Sequence, residues 1–580
     1  MKKVLSKLAV GAALCASMGF AIEVDLHPGY SIMTLRPTGF EPQVSGMDFM
    51  PNGDMIVLTW RGTSGPGGQN SSGIQVTTAY TGTTRLYRVT NTKGSDPTAI
   101  TVTEIASGFK DAQGLCIVNG EIYVGDVDRI VKMVDKDKDG KYEEMLEIGK
   151  IPSYMGWFEY SFGPVHKDGK LYMALASGVQ SSGWPEKSLG KDRGSVISIP
   201  ITGGAYTVVA TGLRAPDGIG IGPEGEIWVT DNQGGWRPTS PFIQIKAGKF
   251  YGYLNQGETI PAGTTVTPPN LWAPFRDAND SPTEPALMNV GPYKGQFIYG
   301  DIGRGGIYRA FLEKVNGEYQ GSVITMSGGL EVGVHRIRTG AEGEIYIGGL
   351  GANTASNQGW NFTNWGLQKL VPNNTPVFEI LATRSRATGM ELEFTMPVGK
   401  EAGAAANYVV KQWGYVPDNT YGGGMGKIET RTIKSVQVSP DRKRVFLEID
   451  GLKTGQVVAI AANNLKSEVG AKVIWYNKTW YTLNAISPSQ PFEPSVEIRH
   501  AAMGSGQSGM QVRRMSDRLR ITFSDGAVYK LEILDFQGRA LGGDNSATGS
   551  AEIAIRGARP GLHIVRAMGA GRTFSVPIVL

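Results

Sequence analysis

Cysteine is almost missing from this chain. Of 580 residues only Cys15 and Cys116 are cysteines. Cys15 falls in an N-terminal leader, so the mature chain keeps one thiol and can form no internal disulfide. Cys116 sits in the apolar run GLCIV (114–118) and reads as a buried strand residue. No C-x-x-C-H occurs, which excludes a covalently attached c-type haem. Charge is scarce too, at 19% Asp, Glu, Lys and Arg against 41% hydrophobic residues. A disordered chain needs the reverse balance. Beyond the leader no apolar run is long enough for a membrane span. G-x-S-x-G, H-E-x-x-H and Walker motifs are absent.

The leader is MKKVLSKLAVGAALCASMGFA (1–21). Lys2, Lys3 and Lys7 form its basic start and Leu8 to Phe20 its apolar stretch. Small residues, Gly19 and Ala21, stand where a signal peptidase inspects the chain. This is a secretory signal peptide, and it predicts a secreted, extracellular or cell-surface protein, with the periplasm as the alternative. Without it the basic excess nearly vanishes, leaving 54 Lys and Arg against 53 Asp and Glu. Nothing therefore points to nucleic acid as a partner.

Glycine is abundant, 80 of 580, with no collagen period. It punctuates a repeat: an apolar strand, a Gly-centred turn, then a second strand. The copies are GMDFMPNGDMIVLTW (46–60), GLCIVNGEIYVGD (114–126), SFGPVHKDGKLYMALAS (161–177), GIGIGPEGEIWVTD (218–231), NVGPYKGQFIYGDIGRGGIYRA (289–310) and HRIRTGAEGEIYIGG (335–349). Their turn glycines, Gly53, Gly120, Gly169, Gly225, Gly295 and Gly343, recur every 48 to 70 residues. A propeller blade of four short strands needs about 40–50 residues. The fold class is thus all-β, with a six-bladed β-propeller over 22–372. Period-two alternation over 376–484 predicts an immunoglobulin-like β-sandwich. A Ser-, Pro- and Gly-rich linker follows at 485–511, then a small C-terminal β-sandwich at 512–580.

Several residues suit a site. Trp60, Arg61, Asp126, Asp128, Asp217, Asn232, Gln233 and Trp236 fall at strand ends, the part of a propeller that borders the channel mouth. Tryptophan stacks on a sugar ring and amides bridge its hydroxyls. Asp135, Asp137 and Asp139 alternate and are closed by Gly140, a spacing that wraps a calcium ion or forms a solvated acidic turn. Leu146 stands where an EF-hand needs Glu.

The runs GLRAPDGIG (212–220), VTDNQG (229–234), FYG (250–252), NVGPYKGQ (289–296) and VHRIR (334–338) carry a resemblance. Over about 150–370, and less over 22–150, the chain resembles the glucose/sorbosone dehydrogenase group. These are six-bladed propellers whose studied members use pyrroloquinoline quinone (PQQ) and calcium. More closely, it resembles a secreted branch of that group with unassigned activity, whose trailing sandwich the QWGY run (412–415) also resembles. The resemblance implies Arg214, Arg336 and Arg338 for the quinone carboxylates and His335, His166 or an acid such as Asp231 as base. It further implies a sugar or related alcohol as substrate and an external electron acceptor. The chain departs from the pattern at Met155, where the base His should stand, at Ala215, where Asn should, and at Gly303, where Lys should. The same arginines also have a structural reading, as partners of Asp217, Asp231 and Asp301. The C-terminal module resembles a type IX secretion sorting domain through DFQGR (535–539), Pro560-Gly561 and VPIVL (576–580), which implies contact with that secretion machinery. Three readings result: quinone-dependent sugar oxidation, non-catalytic glycan binding or cell-surface assembly, and a calcium-dependent lactonase-type hydrolase built on Asp217 and Asp231.

Overall fold

The computed structural model describes residues 24–60, 84–153, 160–178, 190–254, 260, 262–351, 365–418 and 422–493, and shorter strand segments between 510 and 579. The leader, Arg61, Met155 and the motif residues 536–539 and 560–561 lie outside the described residues. The chain forms two compact units, 1–500 and 501–580.

Six four-stranded antiparallel blades build the propeller, five of them separate sheets and the fifth in sequence part of a larger sheet. Blade 1 holds Val44–Phe49, Met55–Thr59, Thr84–Thr90 and Thr101–Phe109. Blade 2 holds Leu115–Val118, Glu121–Gly125, Arg129–Val134 and Glu144–Lys150. Blade 3 holds Ser161–Lys167, Lys170–Leu175, Ser195–Pro200 and Thr207–Thr211. Blade 4 holds Gly218–Ile221, Ile227–Thr230, Ser240–Gln244 and Leu271–Ala273. Blade 5 holds Pro282–Leu287, Phe297–Asp301, Gly306–Val315 and Glu318–Ser327. Blade 6 takes Val334–Thr339, Ile345–Leu350 and Trp365–Pro372, and its outer strand is the N-terminal Tyr30–Thr34. The ring is therefore fastened by strands from both ends of the propeller sequence. The six first strands pack around a common centre, that of blade 6 returning to that of blade 1.

All six repeat glycines lie in the turn joining a blade's first two strands, with φ between 71 and 94°. An L-residue there costs about 1–2 kcal/mol, which is why the turn keeps glycine. Apolar clusters fill the space between blades. Met47 and Val57 of blade 1 pack with Tyr346 and Leu367 of blade 6. Tyr123 and Ile130 of blade 2 pack with Leu171 and Met173 of blade 3.

A second module has two sheets around a core that includes Ile380, Leu392, Leu447, Val458 and Ile460. Its strand Lys478–Leu483 pairs with the outer strand of blade 5, Val323 opposite Trp480. The result is one eight-stranded sheet running from propeller to second module. A buried hub reinforces this seam. Glu379 accepts from Arg309 Nη2 (3.1 Å) and lies 3.2 Å from His27 Nε2, and Tyr293 donates to it.

The unit 501–580 has a three-stranded and a four-stranded sheet, with Leu519, Ile521, Tyr529, Leu531 and Val565 buried. No helix of the described residues is long and apolar enough to cross a membrane.

Candidate functional site

In an up-and-down blade, the loop from second to third strand and the loop to the next blade lie on one face. This mouth face carries Trp60, Asp126, Arg214, Asp217, Asp231 to Arg237, Arg304 and the entry to His335. The loops from first to second and third to fourth strand lie on the opposite face. His166 and the Asp135–Asp139 turn are therefore on the far side of the ring from the mouth.

Arg336 and Arg338 project into the centre, which Asp217, Glu284 and the glycines Gly46, Gly114, Gly163 and Gly218 also line. A Cβ on Gly114 would stand 2.3 Å from Gly163 O, so the strands here pack backbone to backbone. Space for a water centre amounts to about 10 Å³, room for one water. Arg336 is buried, and each of its three nitrogens donates to the protein. Nε donates to Ser45 O (2.7 Å), Nη1 to His335 O (2.9 Å) and Nη2 to Gln113 O (2.7 Å). Asp217 Oδ1 lies 3.6 Å from Nη1. Burial holds the Arg336 pKa below the usual arginine range, against the pull of Asp217 and Glu284. Arg338 pairs with Glu284 (2.6 Å) and Asp48 (3.5 Å). Burial opposes its charge, and the two carboxylates more than offset this, so its pKa is raised.

His335 faces acceptors at both ring nitrogens. Nδ1 lies 2.7 Å from Val44 O and Nε2 3.1 Å from Asp217 Oδ1. A ring placed so presents no free lone pair to a substrate. These residues do not fit a quinone: Arg336 is enclosed and bonded to protein acceptors, and the partly exposed Arg338 is already paired with Glu284 and Asp48.

The proposed base Asp231 is fully buried. Its carboxylate accepts from Arg214 N (3.0 Å), Ala215 N (2.7 Å), Asn232 N (2.9 Å) and Arg237 Nε (3.1 Å). The same device recurs at the second-strand ends of two other blades. Asp126 accepts from Lys110, Asp111 and Val127 amides, and Asp301 from Asp280, Ser281 and Arg304 amides. Each acid pins a blade-to-blade loop. Buried arginines complete the clamp, Arg193 donating to Ala176 O and Tyr160 O, and Arg237 to Tyr251 O and Gly212 O. The sequence reading missed Arg193, Arg237 and Glu284, although an Arg just before a blade's third strand was a visible signal at Arg193, Arg237 and Arg304.

The remaining candidates divide. Trp60 is 6% exposed and its Nε1 donates to Asp111 (2.7 Å), so it offers no stacking face. Gln233 is buried and accepts from Ser240 Oγ (2.8 Å). Asn232 and Trp236 are partly exposed on the blade 4 loop. Arg214 lies across Gly234, where a Cβ would stand 1.8 Å from its Nε. Trp236 is left-handed at φ 60°. Its N–H donates to Asp418 O of the second module, and Gly422 N–H donates to Gly234 O (3.1 Å). The second module thus forms a lip at this loop.

Asp135, Asp137, Asp139 and Glu143 offer carboxylate oxygens all within 4.8 Å of one another. Glu143 is an addition to the expected set. Gly140 N–H donates to Asp135 (2.9 Å) and Arg88 Nη2 to Gly140 O (2.9 Å), closing the turn. Cys116 is buried, and its thiol pKa is pushed up by that burial.

No protein-family model and no curated protein matches the chain. Among solved structures it is similar to the soluble aldose sugar dehydrogenase of Escherichia coli in its apo form, with 17% identity and a TM-score of 0.37 over 59% of this chain and all of that one. The PQQ-bound aldose sugar dehydrogenase of Streptomyces coelicolor gives 16%, 0.38, and 59% and 99% of the chains. A Trichoderma reesei protein of carbohydrate-active enzyme family AA12 gives 12%, 0.41, and 60% and 97%. Likeness of this degree decides nothing about the site. The six-bladed ring rests on the strand ladders of this chain itself.

Proposed function

We propose that the protein is an exported carbohydrate-binding propeller that holds its ligand at the mouth face and does not oxidise it through a quinone. The observation that carries this reading is the closed centre. Arg336, His335 and Asp217 satisfy one another and neighbouring backbone carbonyls, Arg338 pairs with Glu284 and Asp48, and room for about one water is left. Partly exposed Trp236 and Asn232, beside Arg214, supply the aromatic and polar groups that sugar binding uses. A lactonase-type metal site would need open carboxylates, and Asp231 has four donors already.

The leader and the sorting-like C-terminal module support export, with display at the cell surface through the type IX machinery. The Asp135 turn is a calcium loop that stiffens blade 2, remote from the ligand. Calorimetric titration of the mature chain with PQQ and calcium should give no saturable binding, and a glycan array should give binding that Trp236→Ala removes. Tight one-to-one PQQ binding would overturn the reading in favour of sugar oxidation.

A further inference from the structure

Trp236 occupies a backbone position that suits a tryptophan poorly. Gly234 and Arg237 exchange both backbone hydrogen bonds, at 2.9 and 3.2 Å, so Gly235 and Trp236 are the two central residues of a tight turn. Trp236 is left-handed there, at φ 60°. Turns give that conformation to glycine or asparagine, and for a bulky side chain it is a strained outlier. Such strain persists only where the surroundings over-determine it, and it collects at ligand sites. On the propeller side, Arg237 anchors one foot of the turn, donating to Tyr251 O (2.6 Å) and Asp231 (3.1 Å).

The remaining restraint comes from the second module. Its short strands Tyr415–Val416 and Gly424–Met425 pair as a ribbon. Tyr415 packs on Trp272 of blade 4, with ring centroids 5.4 Å apart. Three residues between or beside these strands meet the turn. Asp418 O accepts from Trp236 N–H, and Gly422 N–H donates to Gly234 O (3.1 Å). Gly423, at φ 46°, lies so near Pro238 that a Cβ would stand 2.5 Å from its Cα and Cβ.

We infer that this ribbon is a positioning element of the ligand site, holding Trp236 in the left-handed turn that presents its ring at the mouth face. The inference rests on the carbohydrate-binding reading for its ligand, and it adds the second module to the site. Both hydrogen bonds join backbone groups, so they fix the path of the turn itself. Without them Trp236 can relax to a right-handed φ, roughly 120° away, which swings its Cα–Cβ bond and takes the ring out of place.

Two variants of the full mature chain test this. Trp236→Asn puts a residue that tolerates the left-handed turn in place of one that does not. It should raise the thermal unfolding midpoint while removing sugar binding, whereas a tryptophan placed for packing would lower the midpoint when lost. Gly423→Ala drives a Cβ into Pro238 and should part the ribbon from the turn. Hydrogen exchange of the peptide spanning Trp236 should then quicken about tenfold or more, with Ile227–Thr230 unchanged. Any of cello-, malto-, xylo- and mannotetraose that binds the unaltered chain in calorimetry should bind Gly423→Ala about tenfold more weakly. Unchanged exchange at Trp236 in folded Gly423→Ala, or a lowered midpoint in Trp236→Asn, overturns the inference. If Gly423→Ala fails to fold, exchange in the unaltered chain replaces it: the Trp236 amide should be protected, and fast exchange overturns the inference. If no probe binds the unaltered chain, the carbohydrate reading falls, and the exchange and unfolding results still decide the positioning role.

Discussion

Arg336 Nη1 and Asp217 Oδ1 stand 3.6 Å apart at the centre of the ring, each almost wholly buried, with His335 bonded to the same carboxylate oxygen. Removing one member of a buried pair leaves the other uncompensated, at about 3–5 kcal/mol. Arg336→Ala should lower stability by that amount in urea unfolding. A variant that loses ligand but keeps its unfolding midpoint would instead make Arg336 a binding residue.

Asp231 serves the loops rather than a substrate. Asp231→Asn turns an amide N–H₂ toward groups that are all donors. The loss should be about 2–4 kcal/mol, since hydrogen bonds to a charged acceptor contribute about 1.5–3 kcal/mol and several are affected. Thermal unfolding checks it, and Asp126→Asn should behave alike.

Asp280 gives a pH signature. Its folded pKa, near 7, is above the ordinary aspartate value of 3.8, so the native state holds a proton that the unfolded chain releases. Native stability from this group is full below about pH 4 and is lost as pH rises through 7. Asp280→Asn should therefore match the unaltered chain near pH 3 and exceed it by a margin that grows from pH 4 to pH 7 and then levels off, read as the urea midpoint.

The acidic turn on the opposite face should bind calcium independently of the mouth. Asp137→Asn with Asp139→Asn should abolish the calcium heat in calorimetry and leave oligosaccharide binding unchanged. Loss of both together would place the metal in the ligand site.

Two glycines separate backbone strain from crowding. A Cβ at Gly225 meets nothing within 4 Å, but its φ is 84°. Gly225→Ala should cost about 1–2 kcal/mol from conformation alone. Gly114→Ala forces a Cβ to within 2.3 Å of Gly163 O and should cost more, measured on the same unfolding curve.

The blades were legible because each one is local. Its first two strands and their turn glycine fit within about fifteen residues, and alternation with a Gly at positive φ is a short-range signal. The site was legible as a set of residues and not as a set of roles. Arg336 is a conspicuous chemical type in an inner strand, but most of its acceptors, on Ser45, Gln113 and Asp217, are remote in sequence. His27 and Glu379 are separated by 352 positions, which no periodicity can connect. Glu143 lay beyond the alternating acids and joined them only through the hairpin.

The seam between blade 5 and the second module has a consequence for handling the protein. The strand Glu318–Ser327 is the outer edge of its blade, and Gln320, Ser322, Val323 and Thr325 on it are all nearly inaccessible. Cutting the chain after Pro372 would strip away Lys478–Leu483 and bare this strand's amides and carbonyls beside apolar side chains. Such an edge templates pairing with other copies. The second module thus guards the propeller against self-association, and a trimmed propeller should precipitate where the longer chain stays in solution.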